Sequence, residues 1–282
     1  MRKIALLLTM TLLILGACGK DLNETNNNEQ NNQNNIVNNI SEEVNNTDDQ
    51  DIQDEQSDKE ENDIAKEEVE NVEPQYEINE VWSVVPITEE AKEKVVLLTI
   101  DDAPENYAVE MAETLDKLDT PAIFFVNGHF LETEEDKEKL RKIHDLGFAI
   151  GNHTYSHANL AELSKEEQRE EIVSVNDMVE EIIGERPIFF RPPFGSYGDE
   201  TYDILTEENM TYMNWTYGYD WEAEYMSEEA IADIMINTEL LNPGANLLMH
   251  DREWTKDALA DIVQGLRDKG YDFVEPKIIK QY

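Results

Sequence analysis

From about Val81 onward one pattern repeats: a short, unbroken apolar run of strand length, then a stretch with helical spacing. The first run occupies residues 95–100, Val95-Val96-Leu97-Leu98-Thr99-Ile100. Further runs of this kind fall at 122–126, 148–150, 188–190, 212–215 and 246–249, with a last one at 271–274. Strands without polar alternation are buried on both faces, as in parallel sheets. The intervening stretches carry helix punctuation. Ser164 with Glu167 three residues later is a capping-box pattern opening a helix over 164–183. A second helix is expected over 227–241, opened by Ser227 and stopped by Asn242-Pro243-Gly244, and a third over 255–269, ending at Gly270. Repeated strand–helix alternation specifies an α/β fold, either a barrel or an open doubly wound sheet. No GxGxxG or Walker motif succeeds the first strand, so a nucleotide-binding version has no support.

The residues just after each run are the informative ones, because α/β folds gather reacting groups at the carboxyl ends of their strands. Asp101-Asp102 come after the first run, His153-Thr154-Tyr155-Ser156-His157 after the third and Arg191 after the fourth. Asp220-Trp221 lie just beyond 212–215, and His250-Asp251 come directly after 246–249. Each cluster alone is a weak signal; the fold logic places all five on one rim. Three of the five histidines lie there, and His129 and His144 read as structural or surface residues. A catalytic zinc site keeps three protein ligands and one open position, which two imidazoles and a carboxylate supply. Two adjacent aspartates do not easily ligate one ion, so one of the pair is left beside it to accept a proton from the attacking water. A cation such as Arg191 would keep that carboxylate ionised and aimed. His250 could protonate the leaving group, and Asp220 could orient its imidazole. This is equipment for metal-assisted hydrolysis of an amide or ester. The rival reading of two His and one carboxylate is a non-haem iron oxygenase triad, but those usually sit on all-β folds and need no second Asp.

Taken in order, Thr99-Ile100-Asp101-Asp102, His153-Thr154-Tyr155-Ser156-His157, Arg191-Pro192-Pro193-Phe194-Gly195, Asp220-Trp221 and Leu247-Leu248-Met249-His250-Asp251 resemble the five motifs of the polysaccharide deacetylases, the fourth carbohydrate esterase family. The resemblance spans roughly residues 93–282. It implies a distorted (β/α) barrel with about seven parallel strands and the removal of N-acetyl groups from a glycan. A cell-wall polymer is the expected substrate, with peptidoglycan N-acetylglucosamine or N-acetylmuramic acid first and chitin, xylan or capsule as alternatives. It makes Asp102, His153 and His157 ligands of a divalent ion, usually zinc, with cobalt or another divalent ion as alternatives. It makes Asp101 the general base, Arg191 its partner, His250 the general acid and Asp220 the group that orients His250. The backbone N–H of Phe194 would receive the oxyanion, and Trp221 with Leu248 would line a pocket for the acetate methyl. Two positions depart from the family pattern. Ala103 stands where Gly commonly succeeds the aspartates, which would be costly if that position needed a positive φ. Tyr217 stands where another Asp is often found. Both changes are expected to touch substrate fit more than the metal. A non-catalytic glycan-binding protein would be expected to lose the base or a ligand, and neither is lost here.

The amino terminus carries a separate message. Arg2 and Lys3 precede an apolar run over 4–15, too short for a comfortable membrane span. Leu15-Gly16-Ala17-Cys18 resembles a bacterial lipobox, and Cys18 is the only cysteine in the chain. The expectation is a signal peptide over 1–17, lipidation at Cys18 and a location on the outer face of the cytoplasmic membrane. Residues 18–80 have the composition of a disordered tether, Asn-rich and then acidic, without Trp or Phe. The catalytic domain is expected over 81–282. That segment has 17 basic against 44 acidic residues, within a whole-chain net charge of −42. Such a balance excludes nucleic acid as a partner, since phosphate binding needs Lys and Arg to displace counterions. It also fits adaptation to high salt or high external pH. A monomer is expected.

Overall fold

The apolar runs assemble into one curled parallel sheet. A computed structural model describes residues 73–281. Two short strands, β1 (Tyr76–Ile78) and β2 (Val84–Pro86), form an antiparallel hairpin. The sheet then takes β3 (Val95–Ala103), β4 (Ile123–Val126), β5 (Ala149–Asn152), β6 (Phe189–Phe190), β7 (Thr211–Tyr212) and β8 (Ala245–His250). Their spatial order is β7-β6-β5-β4-β3-β8, every pairing parallel, and β9 (Asp272–Phe273) joins the start of β3. Beyond β7 the chain reaches the far edge of the curl. The Thr216 N–H donates to the Asn246 carbonyl at 2.9 Å, and the Leu248 N–H donates to that of Tyr217 at 2.9 Å. The expected distorted (β/α) barrel is the observed fold. Its helices are α1 (Ala108–Lys117), α2 (Glu134–Asp145), α3 (Lys165–Ile183), α4 (Asp199–Glu207), α5 (Glu228–Asn237) and α6 (Glu253–Asp268).

Strand periodicity explains both the core and the site. Val96, Leu98 and Ile100 of β3, Phe124 and Val126 of β4, and Leu247 and Met249 of β8 pack in one cluster with apolar residues of α1, α3, α5 and α6. The alternate residues, Val95, Leu97, Ile123, Phe125, Phe189 and Met213, form a second cluster on the other face. Tyr76 and Ile78 of β1, Val84 of β2 and Ile279 join that inner cluster and fill its lower end. Continuing the inner parity upward leads from apolar to polar: Thr99 and Asp101 from β3, His153 from β5, Arg191 from β6, Asn246 and His250 from β8. The barrel interior is apolar at its base and reactive at its rim because one set of side chains changes character along each strand.

Several expected boundaries are corrected. Tyr76 and Ile78 are buried and hydrogen-bonded within a stretch assigned to the 18–80 tether, so the ordered unit begins before Val81. The reason is tertiary: a three-residue strand has no periodicity of its own and is fixed by β2 and by the bridge from Tyr76 to Ile279. The helix expected over 227–241 stops at Asn237, where Thr238 turns extended (φ −61, ψ 146) and its hydroxyl meets that of Tyr219 at 2.7 Å. The helix expected over 255–269 starts two residues earlier, at Glu253. The signal segment 1–17, Cys18 and most of the tether lie outside the described residues. Among the described residues no helix is long and apolar enough to cross a membrane.

Candidate active site

Asp101 is the inner-face residue that ends the regular part of β3, and it is 2 % exposed. Asp102, one position on, should point the other way. It reaches the same rim because the pairing of β3 with β4 shifts register between Ile100 and Ala103, and Asp102 adopts a left-handed φ of 64°. A bulge of this kind re-aims a side chain, and Asp is among the residues that tolerate such a backbone. The left-handed position is Asp102 and not Ala103, which is fully buried in the helix-side core. The feared cost of Ala103 does not arise.

His153 comes after β5 and is 2 % exposed. Its Nδ1 lies 2.7 Å from the Arg191 carbonyl oxygen, which can only accept, so Nδ1 is the donor there and Nε2 is the nitrogen turned towards Asp102. The loop to His157 makes two left-handed turns, at Thr154 (φ 69) and His157 (φ 59). Asn152 Oδ1 accepts from the Thr154 N–H at 2.8 Å, Asn127 Nδ2 donates to the His153 carbonyl at 2.6 Å, and Glu171 of α3 takes the Ser156 N–H at 2.8 Å and its hydroxyl at 2.6 Å. So held, His153 Nε2 and His157 Nε2 stand 4.0 and 3.7 Å from Asp102 Oδ1. These three ligand atoms lie within 4.8 Å of one another. Burial first, and then the neighbouring His153, hold the His157 imidazole below its ordinary value. Two imidazole nitrogens and one carboxylate oxygen, converging on one point, make a donor set that fits a divalent ion.

Arg191 is fully buried, which demands that its charge be met. Nη1 donates to Asp101 Oδ1 and to Thr99 Oγ1, each at 2.7 Å, and Nη2 donates to the Asn214 carbonyl at 2.9 Å. The guanidinium also lies over the Phe125 ring, 4.4 Å from its centroid. Burial pushes the Asp101 carboxyl up, but Arg191 first and then His153 and His250 outweigh it, so Asp101 is held below the usual carboxylate range. Its other oxygen is 3.6 Å from His153 Nε2. The base candidate thus faces the ligand set while ionised.

Across the rim, Asp220 is fully buried and grips His250 twice, taking its backbone N–H at 2.6 Å and its Nδ1 at 2.7 Å. Thr255 of α6 donates to the same carboxylate at 2.8 Å, and Trp254 Nε1 donates to the Asp220 carbonyl at 2.8 Å. Burial lowers the His250 imidazole, and the Asp220 hydrogen bond and charge more than reverse it, so His250 is raised and stays protonated to higher pH. Trp221 is 42 % exposed and meets His250 edge-on at 5.4 Å. Leu248 is buried beside it. Gly218 brings the two together: a Cβ there would stand 2.8 Å from Trp221 Cζ3 and 2.9 Å from Leu248 Cβ. Phe194 is left-handed (φ 59) and 68 % exposed, and its ring meets His157 edge-on at 4.8 Å.

All the residues singled out on the rim are therefore brought together, with Cys18 outside the described residues. Tyr217 is not among them. It is 3 % exposed, lies in the helix-side core and donates to the Met235 carbonyl at 2.8 Å. The expectation that Ala103 and Tyr217 bear on substrate fit is corrected, since both are core positions. Asp251 is also structural: its carboxylate takes the N–H groups of Asn106 (2.7 Å) and Tyr107 at the start of α1. Sequence reasoning missed Thr99, Asn127, Asn214, Asn246, Gly218 and Arg252. For Thr99, Asn127 and Asn246 the signal was inner-face parity; the others depend on contacts between distant segments.

A curled parallel α/β barrel with a two-histidine, one-aspartate centre and flanking Asp–Arg and Asp–His pairs defines the class. The polysaccharide deacetylase family model matches residues 88–213. The peptidoglycan-N-acetylmuramic acid deacetylase PdaA of Bacillus subtilis is 30 % identical over 190 residues, 64 % of this chain and 70 % of that protein. A peptidoglycan-N-acetylglucosamine deacetylase of Bacillus cereus is 30 % identical over 224 residues, 74 % of this chain and 80 % of that one. Among solved structures, a CE4 family pseudoenzyme from Bacillus anthracis matches with a TM-score of 0.59 at 31 % identity. That match spans 64 % of this chain and 63 % of the pseudoenzyme's. Peptidoglycan deacetylase PdaC from Bacillus subtilis matches with a TM-score of 0.59 at 31 % identity, over 66 % of this chain and 90 % of that one. The chain belongs to the polysaccharide deacetylase family.

Proposed function

We propose that this protein removes N-acetyl groups from a cell-wall glycan, with peptidoglycan N-acetylglucosamine or N-acetylmuramic acid as the substrate sugar. The carrying observation is the full set on one rim: the ligand atoms of Asp102, His153 and His157 beside an Arg191-held Asp101 and an Asp220-held His250. A divalent ion, zinc in this reading, would be held by those three ligands and would polarise the acetyl carbonyl and acidify the attacking water. Asp101 takes a proton from that water as its oxygen bonds to the carbonyl carbon. The Phe194 N–H receives the oxyanion. His250 Nε2 gives a proton to the sugar nitrogen, the C–N bond breaks, and acetate and a free amine leave. Trp221 and Leu248, packed against each other across Gly218, would give the acetyl methyl an apolar contact. Arg191 moves no proton; its charge keeps the buried Asp101 ionised.

Peptidoglycan is supported by the names of the relatives and by the expected anchor at Cys18, which would hold the domain next to the cell wall. The fold alone does not carry activity, since a relative of similar structure is described as a pseudoenzyme. Acetate release from peptidoglycan and from chitin oligomers tests the reading. Wild type should release acetate, chelator should stop it, and zinc or cobalt should restore it. Asp101→Asn should keep the metal and lose at least ~10²-fold in rate, the usual scale for a lost general base. Wild-type protein that binds metal and the glycan but releases no acetate would favour a non-catalytic glycan-binding role.

A further inference from the structure

The residue after Asp251 has no part in the mechanism above, yet it touches the candidate metal centre. Arg252 Nη2 donates to Asp102 Oδ2 at 3.0 Å, while Asp102 Oδ1 is the oxygen that faces His153 and His157. The other arm of the guanidinium, Nη1, donates to Glu105 Oε2 at 3.3 Å. Glu105 belongs to the same turn, its N–H donating to the Asp102 carbonyl at 3.3 Å. One planar cation is thus forked across two carboxylates of the turn next to the bulge.

Helix stability does not explain it. Arg252 occupies the N-cap of α6 and makes no capping hydrogen bond with its side chain. A cation at a helix N-terminus opposes the macrodipole, where Ser, Thr, Asp or Asn would be preferred. Nor is it a core anchor, since its side chain is 36 % exposed. The polar groups that Arg252 meets are the second oxygen of the candidate ligand and its neighbour in the turn.

We propose that Arg252 is a positioning residue that reserves Asp102 Oδ2, so that Asp102 offers the ion a single oxygen. A carboxylate with both oxygens free can bind a cation through both, as it often does for larger ions. A second oxygen would raise the coordination number and fill the position that a hydrolytic centre keeps open. Asp102 sits in a left-handed bulge whose backbone alone does not fix the rotation of its carboxylate; the guanidinium supplies that restraint from outside. The clamp presupposes the ion proposed for Asp102, His153 and His157.

The test is the visible spectrum of the full chain loaded with Co²⁺, whose band intensity falls as coordination number rises. Wild type should show the strong bands of a low-coordinate ion. Arg252→Gln should weaken them by at least ~2-fold while leaving Tm within about 1 °C, and Arg252→Lys should be intermediate, because an ammonium meets one carboxylate oxygen without the fork. A wild-type band that Arg252→Gln leaves unchanged overturns the clamp alone. A loss of Tm with no spectral change overturns it in favour of a structural role. Wild-type protein that shows no cobalt band overturns the metal reading and the clamp with it.

Discussion

At the scale of single residues, the site works by setting two ionisable groups in opposite directions. Arg191 holds Asp101 below the usual carboxylate range, and Asp220 raises His250 above the usual imidazole value. The rate of the proposed reaction should therefore be bell-shaped in pH. The rising limb belongs to Asp101 losing its proton and the falling limb to His250 losing its own. Asp220→Asn removes the influence that raises His250 and leaves the burial that lowers it, so the falling limb should move to lower pH. The maximal rate should also drop by at least ~10-fold, part of the ~10²–10⁴ that general acid catalysis contributes. A pH–rate profile of the variant identical to wild type would refute the assignment of His250. The same pairing bears on stability. His250, raised in the folded state, contributes stability that is complete below its unfolded value and is lost as pH rises through the folded one.

At the scale of elements, local signals and long-range contacts divide the work. The box predicted from Ser164 and Glu167 forms as expected: the Ser164 N–H donates to Glu167 Oε2 at 2.8 Å, and the Glu167 N–H to Ser164 Oγ at 3.4 Å. Ser164→Ala should lower stability by about 1 kcal/mol in urea unfolding at neutral pH, the ordinary worth of an N-cap. Hydrogen bonds from the Ser164 backbone and hydroxyl hold the Glu167 carboxyl below its ordinary 4.5. A depressed acid stabilises above its unfolded value and stops doing so as pH falls through the folded one. The Ser164→Ala deficit should accordingly shrink in acid; a deficit independent of pH between neutrality and acid would show that the box adds nothing beyond the cap. The β3 bulge is the opposite case. Nothing in Ile100-Asp101-Asp102-Ala103 announces a register shift, yet without it the two carboxylates would point to opposite faces of the sheet. β1 and β2 are similar: each is three residues long and exists by pairing with the other and closing the inner core.

For the whole molecule, charge is the dominant global property. The segment 81–282 carries 44 acidic and 17 basic residues. Self-repulsion on that surface is screened by salt, with the Debye length shrinking from about 10 Å at 0.1 M to about 3 Å at 1 M. Molar sodium chloride should raise Tm by at least ~2 °C, about what 1 kcal/mol is worth in a domain of this size. A Tm unchanged or lowered by salt would refute self-repulsion as a limit on stability. By itself the sequence determined the fold class, because runs buried on both faces allow little besides a parallel sheet covered by helices. It also determined which side chains gather at the rim, because strand ends share one edge and inner-face parity is a period of two. Only the tertiary structure decided that Asp102 turns inward on a left-handed backbone, that Tyr217 and Ala103 belong to the core and that Arg252 grips the second oxygen of Asp102. Those outcomes depend on which distant segments meet, and a local pattern carries no information about a contact across 150 residues.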